Sequence, residues 1–104
     1  MEGLEAISFQ IIAAVGAARS SYIKAIDLAS EGKFEEAKEL IEEGQKHFNE
    51  GHKVHGELLT MMANDELPAM NLLLTHAEDQ MMSAEAFGII AERFIKLYKK
   101  LEEK

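Results

Sequence analysis

Apolar residues recur at every third or fourth position through most of the chain, the spacing that keeps one face of an α-helix apolar. In the first third these positions are Leu4, Ile7, Ile11, Val15, Ala18, Tyr22, Ile26 and Ala29. A half-buried strand would need strict alternation of apolar and polar residues, and this stretch shows none. Gly32 interrupts the pattern and predicts the end of a first helix covering about residues 3–31.

The same spacing predicts two further helices. The next apolar positions are Phe34, Ala37, Leu40, Ile41, Phe48, Leu58, Leu59 and Met62. They indicate a helix over about 34–62, which Gly44, Gly51 and Gly56 weaken. Pro68 follows a run of turn residues and suits a first helical turn, so the third helix should cover about 68–102. Since the connections are short, we predict one all-α domain, residues 1–104, folded as an antiparallel three-helix bundle.

The third predicted helix carries two apolar stripes. The first, which would face the other helices, contains Met70, Leu73, Ala77, Met81, Ala84, Ala91, Ile95, Tyr98 and Leu101. The second lies beside it and contains Leu72, His76, Asp79, Gln80, Ser83, Phe87, Ile90, Phe94 and Leu97. A three-helix monomer would leave the large apolar groups of the second stripe in water. We therefore predict a closed symmetric oligomer with copies of this helix near the axis.

Composition excludes several function classes. The formal net charge is −8, from 11 basic and 19 acidic residues, which disfavours binding to nucleic acid or to anionic lipid. The absence of cysteine excludes a disulfide framework, a thiolate nucleophile and zinc sites built on sulfur. The apolar opening segment starts with Glu2 and Glu5 rather than with the cationic residues of a secretory signal, and no later segment is long enough to span a bilayer. We expect a cytoplasmic protein with no direct membrane insertion.

Two of the four histidines, His52 and His55, lie three positions apart on one helical face. They could share a metal ion, but no further ligand stands at a suitable spacing. We therefore favour ordinary packing or surface roles for both.

His76 differs from the other histidines because polar residues share its face. Asp79, Gln80 and Ser83 follow it at three, four and seven positions, inside the otherwise apolar second stripe. This polar island is either a functional site or a polar layer that fixes the register of packed helices. An imidazole can act as a base, a metal ligand or a nucleophile, and the spacing alone does not choose among them.

Four segments together resemble one known family. Residues 74–83, LTHAEDQMMS, resemble the His-Ala-Gln-Asp-His-Leu-Met motif of the lactose/cellobiose (N,N'-diacetylchitobiose) class of IIA proteins in the bacterial sugar phosphotransferase system. Residues 16–20, GAARS, are similar to its Gly-Gln-Ala-Arg-Ser, and residues 31–34, EGKF, to its Gly-Asp-Phe turn. Residues 48–52, FNEGH, resemble its Leu-Asn-Glu-Ala-His. The resemblance thus covers nearly the whole chain in order.

The resemblance implies a spectrin-repeat-like, up-down-up subunit that assembles as a nine-helix homotrimer, in agreement with the second apolar stripe. It also implies a phosphotransferase component, a phosphohistidine carrier that is not a complete enzyme alone. His76 would accept a phosphoryl group from phospho-HPr and pass it to a cysteine of the cognate IIB protein. The sugar would be a β-linked disaccharide such as cellobiose, chitobiose or lactose, and it would enter through IIC without touching this subunit.

The resemblance further implies a metal ion at Asp79. In the family, aspartates from three subunits meet at the trimer axis, where Mg²⁺ or another divalent cation would offset their repulsion. Gln80 replaces a histidine of many relatives and would be a supporting hydrogen-bond donor, while Glu78 replaces the usual glutamine and adds negative charge. These departures leave an alternative open: a non-catalytic oligomeric adaptor or regulatory relative that has lost phosphotransfer.

Overall fold

The helical pattern of the sequence is reproduced in a computed structural model that describes residues 2–67 and 69–103. The helices are α1 (Glu2–Ser30), α2 (Phe34–Ala63) and α3 (Leu72–Glu102). Over the described residues the chain forms no strand, and the prediction of an all-α fold is confirmed.

The first two helices end in the same hydrogen-bonded turn. At the end of α1, Gly32 has φ +81°, its N–H bonds the Ala29 carbonyl at 3.0 Å, and the Lys33 N–H bonds the Leu28 carbonyl at 2.9 Å. This is a Schellman motif, in which glycine adopts the left-handed conformation without steric cost. Asp65 takes the left-handed position after α2, at φ 57°. The prediction that Gly32 ends the first helix is therefore confirmed.

The predicted start of the third helix near Pro68 was wrong. Helix α3 begins at Leu72, and Asn71 is its N-cap, with a side-chain oxygen that accepts a 2.9 Å hydrogen bond from the Leu74 N–H. Pro68 itself lies outside the described residues. An asparagine that satisfies a free N–H of the first turn fixes a helix start more strongly than a proline that is merely tolerated there.

Contacts between the helices define the topology. The Tyr22 ring of α1 lies against Gly44 of α2 and Gly88 of α3, and Val15 lies against Gly51. Helices α1 and α2 are therefore antiparallel, whereas α1 and α3 are parallel. The bundle runs up, down and up, and it measures 56 × 20 × 16 Å.

The glycines expected to weaken α2 do not interrupt it. A Cβ at Gly44 would lie 2.6 Å from Tyr22 Cε1, and a Cβ at Gly51 would lie 2.8 Å from Val15 Cγ1. These two positions lack a side chain because α1 packs directly against the α2 backbone there. Glycine at positions 44 and 51 lowers the helix propensity of α2, but it allows α1 to pack more closely against this helix.

The two stripes of α3 separate largely as the sequence predicts. Ala77, Met81, Ala84 and Ala91 of the first stripe are buried. Met70 and Leu101 are 58% and 53% exposed, so the prediction that they face the other helices was wrong. Met70 precedes the first residue of α3, and Leu101 lies in its last turn.

The second stripe stays largely in solvent in the single chain. Its exposed apolar members are Leu72, Ile90, Phe94 and Leu97. Phe87 is the exception, because it is half-buried and packs against the core. Phe9 and Ile23 add two exposed apolar side chains on α1.

Helix α1 is also long and apolar enough to cross a membrane, by length and composition only. Its segment Gly3–Ser30 has a mean hydropathy of 1.2, and 33% of the apolar window is buried in the bundle. Because core helices of soluble bundles have the same composition, this observation is weak evidence for a membrane span.

Candidate functional site

The polar island on α3 contains His76, Asp79, Gln80 and Ser83, as the sequence predicts. His76 and Asp79 are exposed, while Gln80 and Ser83 are half-buried. His76 is the fifth residue of the helix, just beyond a first turn that contains no acidic side chain. His76 is thus about one turn from the positive end of the helix dipole, which no carboxylate in the first turn offsets.

Arg19 of α1 extends this island across the helix interface. Its Nη1 donates a 2.7 Å hydrogen bond to Gln80 Oε1 and a longer, 3.4 Å bond to Ser83 Oγ. Arg19 is half-buried, so these bonds are partly shielded from water. Helical spacing predicted no role for Arg19, although it is the one basic residue among the first 23. The absence of any other cation from that apolar stretch was the available signal.

Glu78 faces away from the polar island. Its Oε1 lies 2.7 Å from Nε2 of His55 on α2, and the two side chains are 40% and 18% exposed. Residues two positions apart on a helix do not face each other, so Glu78 and His76 lie on different sides of α3. The additional negative charge at position 78 is therefore directed at a histidine of α2 rather than at His76.

The two histidines of α2 do not form a metal site within one chain. His55 pairs with Glu78, and the His52 ring stacks against Phe48 with centroids 6.2 Å apart. Over residues 2–67 and 69–103, no group of three histidine, aspartate or glutamate side chains could hold a metal ion. Asp79 supplies one exposed carboxylate, so a metal site that uses it would need ligands from further copies of the chain.

The fold and the site define a class of protein: a small three-helix subunit that presents an exposed histidine, inside a polar island, on a face whose remaining apolar side chains are largely exposed in the single chain. Three comparisons then identify the family. The family model for the lactose/cellobiose-specific IIA subunit of the phosphotransferase system matches residues 6–99. The chain belongs to this family, and it is therefore a phosphotransferase component.

Individual relatives match over almost their whole lengths. The lichenan-specific phosphotransferase enzyme IIA component of Bacillus subtilis is 36% identical over 102 residues, which are 98% of this chain and 93% of that protein. The crystal structure of the cellobiose-specific enzyme IIA from Bacillus anthracis superposes with a TM-score of 0.96 at 39% identity and covers 100% of this chain and 95% of its own. A IIA(chitobiose)–HPr complex from Escherichia coli gives a TM-score of 0.82 at 28% identity, covering 95% and 96% of the two chains.

Proposed function

We propose that this chain is a phosphocarrier in which His76 accepts a phosphoryl group from phospho-HPr and transfers it to a cysteine of a cognate IIB protein. The observation that carries the proposal is the exposed position of His76 inside a polar island on an otherwise apolar face. A relative of the same fold is known as a complex with HPr, which supports HPr as the donor. In that system the carrier would work in the cytoplasm.

The chemistry requires little beyond positioning. A nitrogen of the neutral His76 imidazole attacks the phosphorus of the donor's phosphohistidine in line, so that one N–P bond forms while the donor's N–P bond breaks. In the second step a IIB thiolate attacks the same phosphorus and His76 leaves. Because no other covalent change is needed, orientation and charge compensation should determine the rate.

The sugar is proposed only as a class. The family and the relatives reported above are named after lactose, cellobiose, lichenan and chitobiose. All of these contain β-linked units, so a β-linked disaccharide is the expected substrate of the transport system that this chain serves.

The exposed second stripe supports oligomer formation. Ile90, Phe94 and Leu97 are all more than a third exposed in the single chain, as is Phe9 on α1. Moving such a side chain fully from water into an apolar contact is worth about 1.5–3 kcal/mol, and since these four are only 38–59% exposed, covering each would contribute about 1 kcal/mol. We propose a homotrimer with α3 near the axis. Leu97→Glu should convert it to monomers, which solution mass across a dilution series would detect.

Asp79 is the residue that would hold a metal ion in that trimer. It is exposed on the outer side of α3, and carboxylate oxygens are the ligands that Mg²⁺ prefers. Three copies would supply three such groups, and a divalent cation would neutralise part of their mutual repulsion. Added Mg²⁺ should then raise the melting temperature of the trimer, and Asp79→Asn should abolish this rise.

Phosphopeptide mapping tests the proposed function directly. The protein is incubated with enzyme I, HPr and phosphoenolpyruvate, and its intact mass is measured under alkaline conditions because phosphohistidine is acid-labile. One phosphoryl group should appear on His76. His76→Ala should stay folded and unlabelled, whereas His52→Ala, a matched loss of an exposed helical histidine, should be labelled as wild type is.

An unlabelled wild-type protein would contradict the carrier proposal and favour the adaptor alternative instead. Labelling of His76→Ala would show that the site is elsewhere.

A further inference from the structure

The contact between Arg19 and Gln80 joins α1 to the polar island, and the proposed transfer chemistry has not used it. We infer that Arg19 is a positioning residue for phosphoryl transfer: it orients the Gln80 carboxamide so that the amide N–H groups face the side of the island occupied by His76. This inference rests on the proposed function, because it deepens the role of the same site.

The hydrogen bond fixes which end of the carboxamide faces α1. A guanidinium has donors and no acceptor, so it can bind the oxygen of Gln80 but not its NH₂ group. The 2.7 Å distance between Arg19 Nη1 and Gln80 Oε1 is that of a strong, charge-assisted bond. With the oxygen held toward α1, both N–H donors of Gln80 must point elsewhere.

His76 lies on the side to which those donors can point. Positions four apart on a helix face the same way, with Cβ atoms about 6 Å apart. An amide N–H at position 80 can therefore reach an imidazole nitrogen acceptor or an oxygen of a phosphoryl group carried by His76. Rotation of the amide by half a turn would replace those donors with an oxygen that repels phosphate.

Arg19 also supplies charge to an acidic subunit. The chain has a net charge of −8, and Asp79 adds a carboxylate to the island itself. A cation bonded to the amide oxygen polarises the carboxamide and makes its N–H groups better donors, since linked hydrogen bonds strengthen one another. The second bond, to Ser83 Oγ, keeps the guanidinium against α3.

A purely structural role for Arg19, as a pin between α1 and α3, makes a different prediction. A pin would affect unfolding and oligomer formation but not the transfer rate of the folded protein. Because the pin's main contact is with Gln80, its effect on stability would also depend on position 80. The two roles therefore separate when the double-mutant cycle is measured on the transfer rate.

The experiment measures the rate of His76 phosphorylation by phospho-HPr for the full chain, with circular dichroism and solution mass recorded for every variant. We expect Arg19→Met and Gln80→Ala each to lower the rate constant by about tenfold, and the double variant to lower it no further. Lys24→Met, which removes an exposed cation from the same helix, is the matched control and should leave the rate unchanged.

Two further variants keep the test decisive if Arg19→Met folds poorly. Arg19→Lys retains a cationic donor and should keep the rate within about threefold of wild type. Gln80→His places an imidazole at position 80, which needs no arginine to orient an amide. In that background, removal of Arg19 should change the rate by less than about twofold.

Each result decides between the proposals. A wild-type protein that cannot be labelled removes the proposed function, and this inference falls with it. A labelled wild type with a folded Arg19→Met variant of equal rate overturns the inference alone. A tenfold loss on removal of Arg19 that persists in the Gln80→His background also overturns it, because Arg19 would then act by a route other than Gln80.

Discussion

Replacement of Gly44 by alanine should destabilise the bundle, although alanine is the better helix former. The Tyr22 ring is 3% exposed and lies between the backbones of α2 and α3. A Cβ at Gly44 would be 2.6 and 2.8 Å from two ring carbons, and the other edge of the ring lies so close to the Gly88 backbone of α3 that a Cβ built there would be 3.0 Å from it. Overpacking of this kind costs about 2–3 kcal/mol, and the gain in helix propensity offsets only about 1 kcal/mol of it. The free energy of unfolding should therefore fall by about 1–2 kcal/mol.

Gly56→Ala is the matched control in the same helix. A Cβ at Gly56 meets no atom within 4 Å, so the substitution should raise the free energy of unfolding by about 1 kcal/mol through helix propensity alone. Urea unfolding followed by circular dichroism, at one protomer concentration because association contributes to stability, measures both variants.

The double variant Gly44→Ala with Tyr22→Leu should lose less stability than the two single changes added together, because leucine has no ring to clash. If Gly44→Ala proved as stabilising as Gly56→Ala, the close packing of Tyr22 between the two glycines would be refuted.

Three further predictions concern individual polar side chains. Ser8 is fully buried and its hydroxyl has no hydrogen-bond partner among the described residues, so Ser8→Ala should raise stability by about 1 kcal/mol and the melting temperature by about 4–8 °C in a thermal scan. Burial, assisted by the charge of Glu92, raises the pKa of Tyr22 above its ordinary value of 10.0. Above about pH 10 the unfolded chain therefore loses this proton first, stability falls as pH rises, and Tyr22→Phe should make that fall shallower in unfolding curves measured from pH 8 to 11. Glu78→Gln should cost less than about 1 kcal/mol and leave His76 labelling intact, because Glu78 faces His55 of α2; a lost label would contradict that orientation.

Helical periodicity predicted most of the fold because it reports burial directly. The three helices, the end of α1 at Gly32 and the exposed stripe of α3 all depend on local chain properties. The start of α3 was misplaced because Pro68 and Asn71 both suit a helix N-terminus, and only the observed cap shows which one is used. The packing role of Gly44 and Gly51 could not be predicted for a related reason: it depends on side chains of α1 that are far away in sequence.

The candidate site could be predicted only in part, for a similar reason. Spacing along α3 identifies His76, Asp79, Gln80 and Ser83, since positions on one helical face are fixed by the sequence. Arg19 is 61 residues from Gln80, and its contact depends on how α1 packs beside α3. Periodicity within a single helix carries no information about such a contact. The family resemblance placed an arginine in this segment but assigned it no role.

The three consecutive polar residues 78–80 of α3 have different surroundings. Successive side chains are about 100° apart around a helix, so three consecutive residues point in three directions. Glu78 reaches His55 of α2, Asp79 is exposed on the outer face, and Gln80 reaches Arg19 of α1. The two departures from the family motif, at 78 and 80, are therefore bonded to different helices. It follows that substitutions at these positions should act separately, those of Glu78 on the contact with α2 and those of Gln80 on the surroundings of His76.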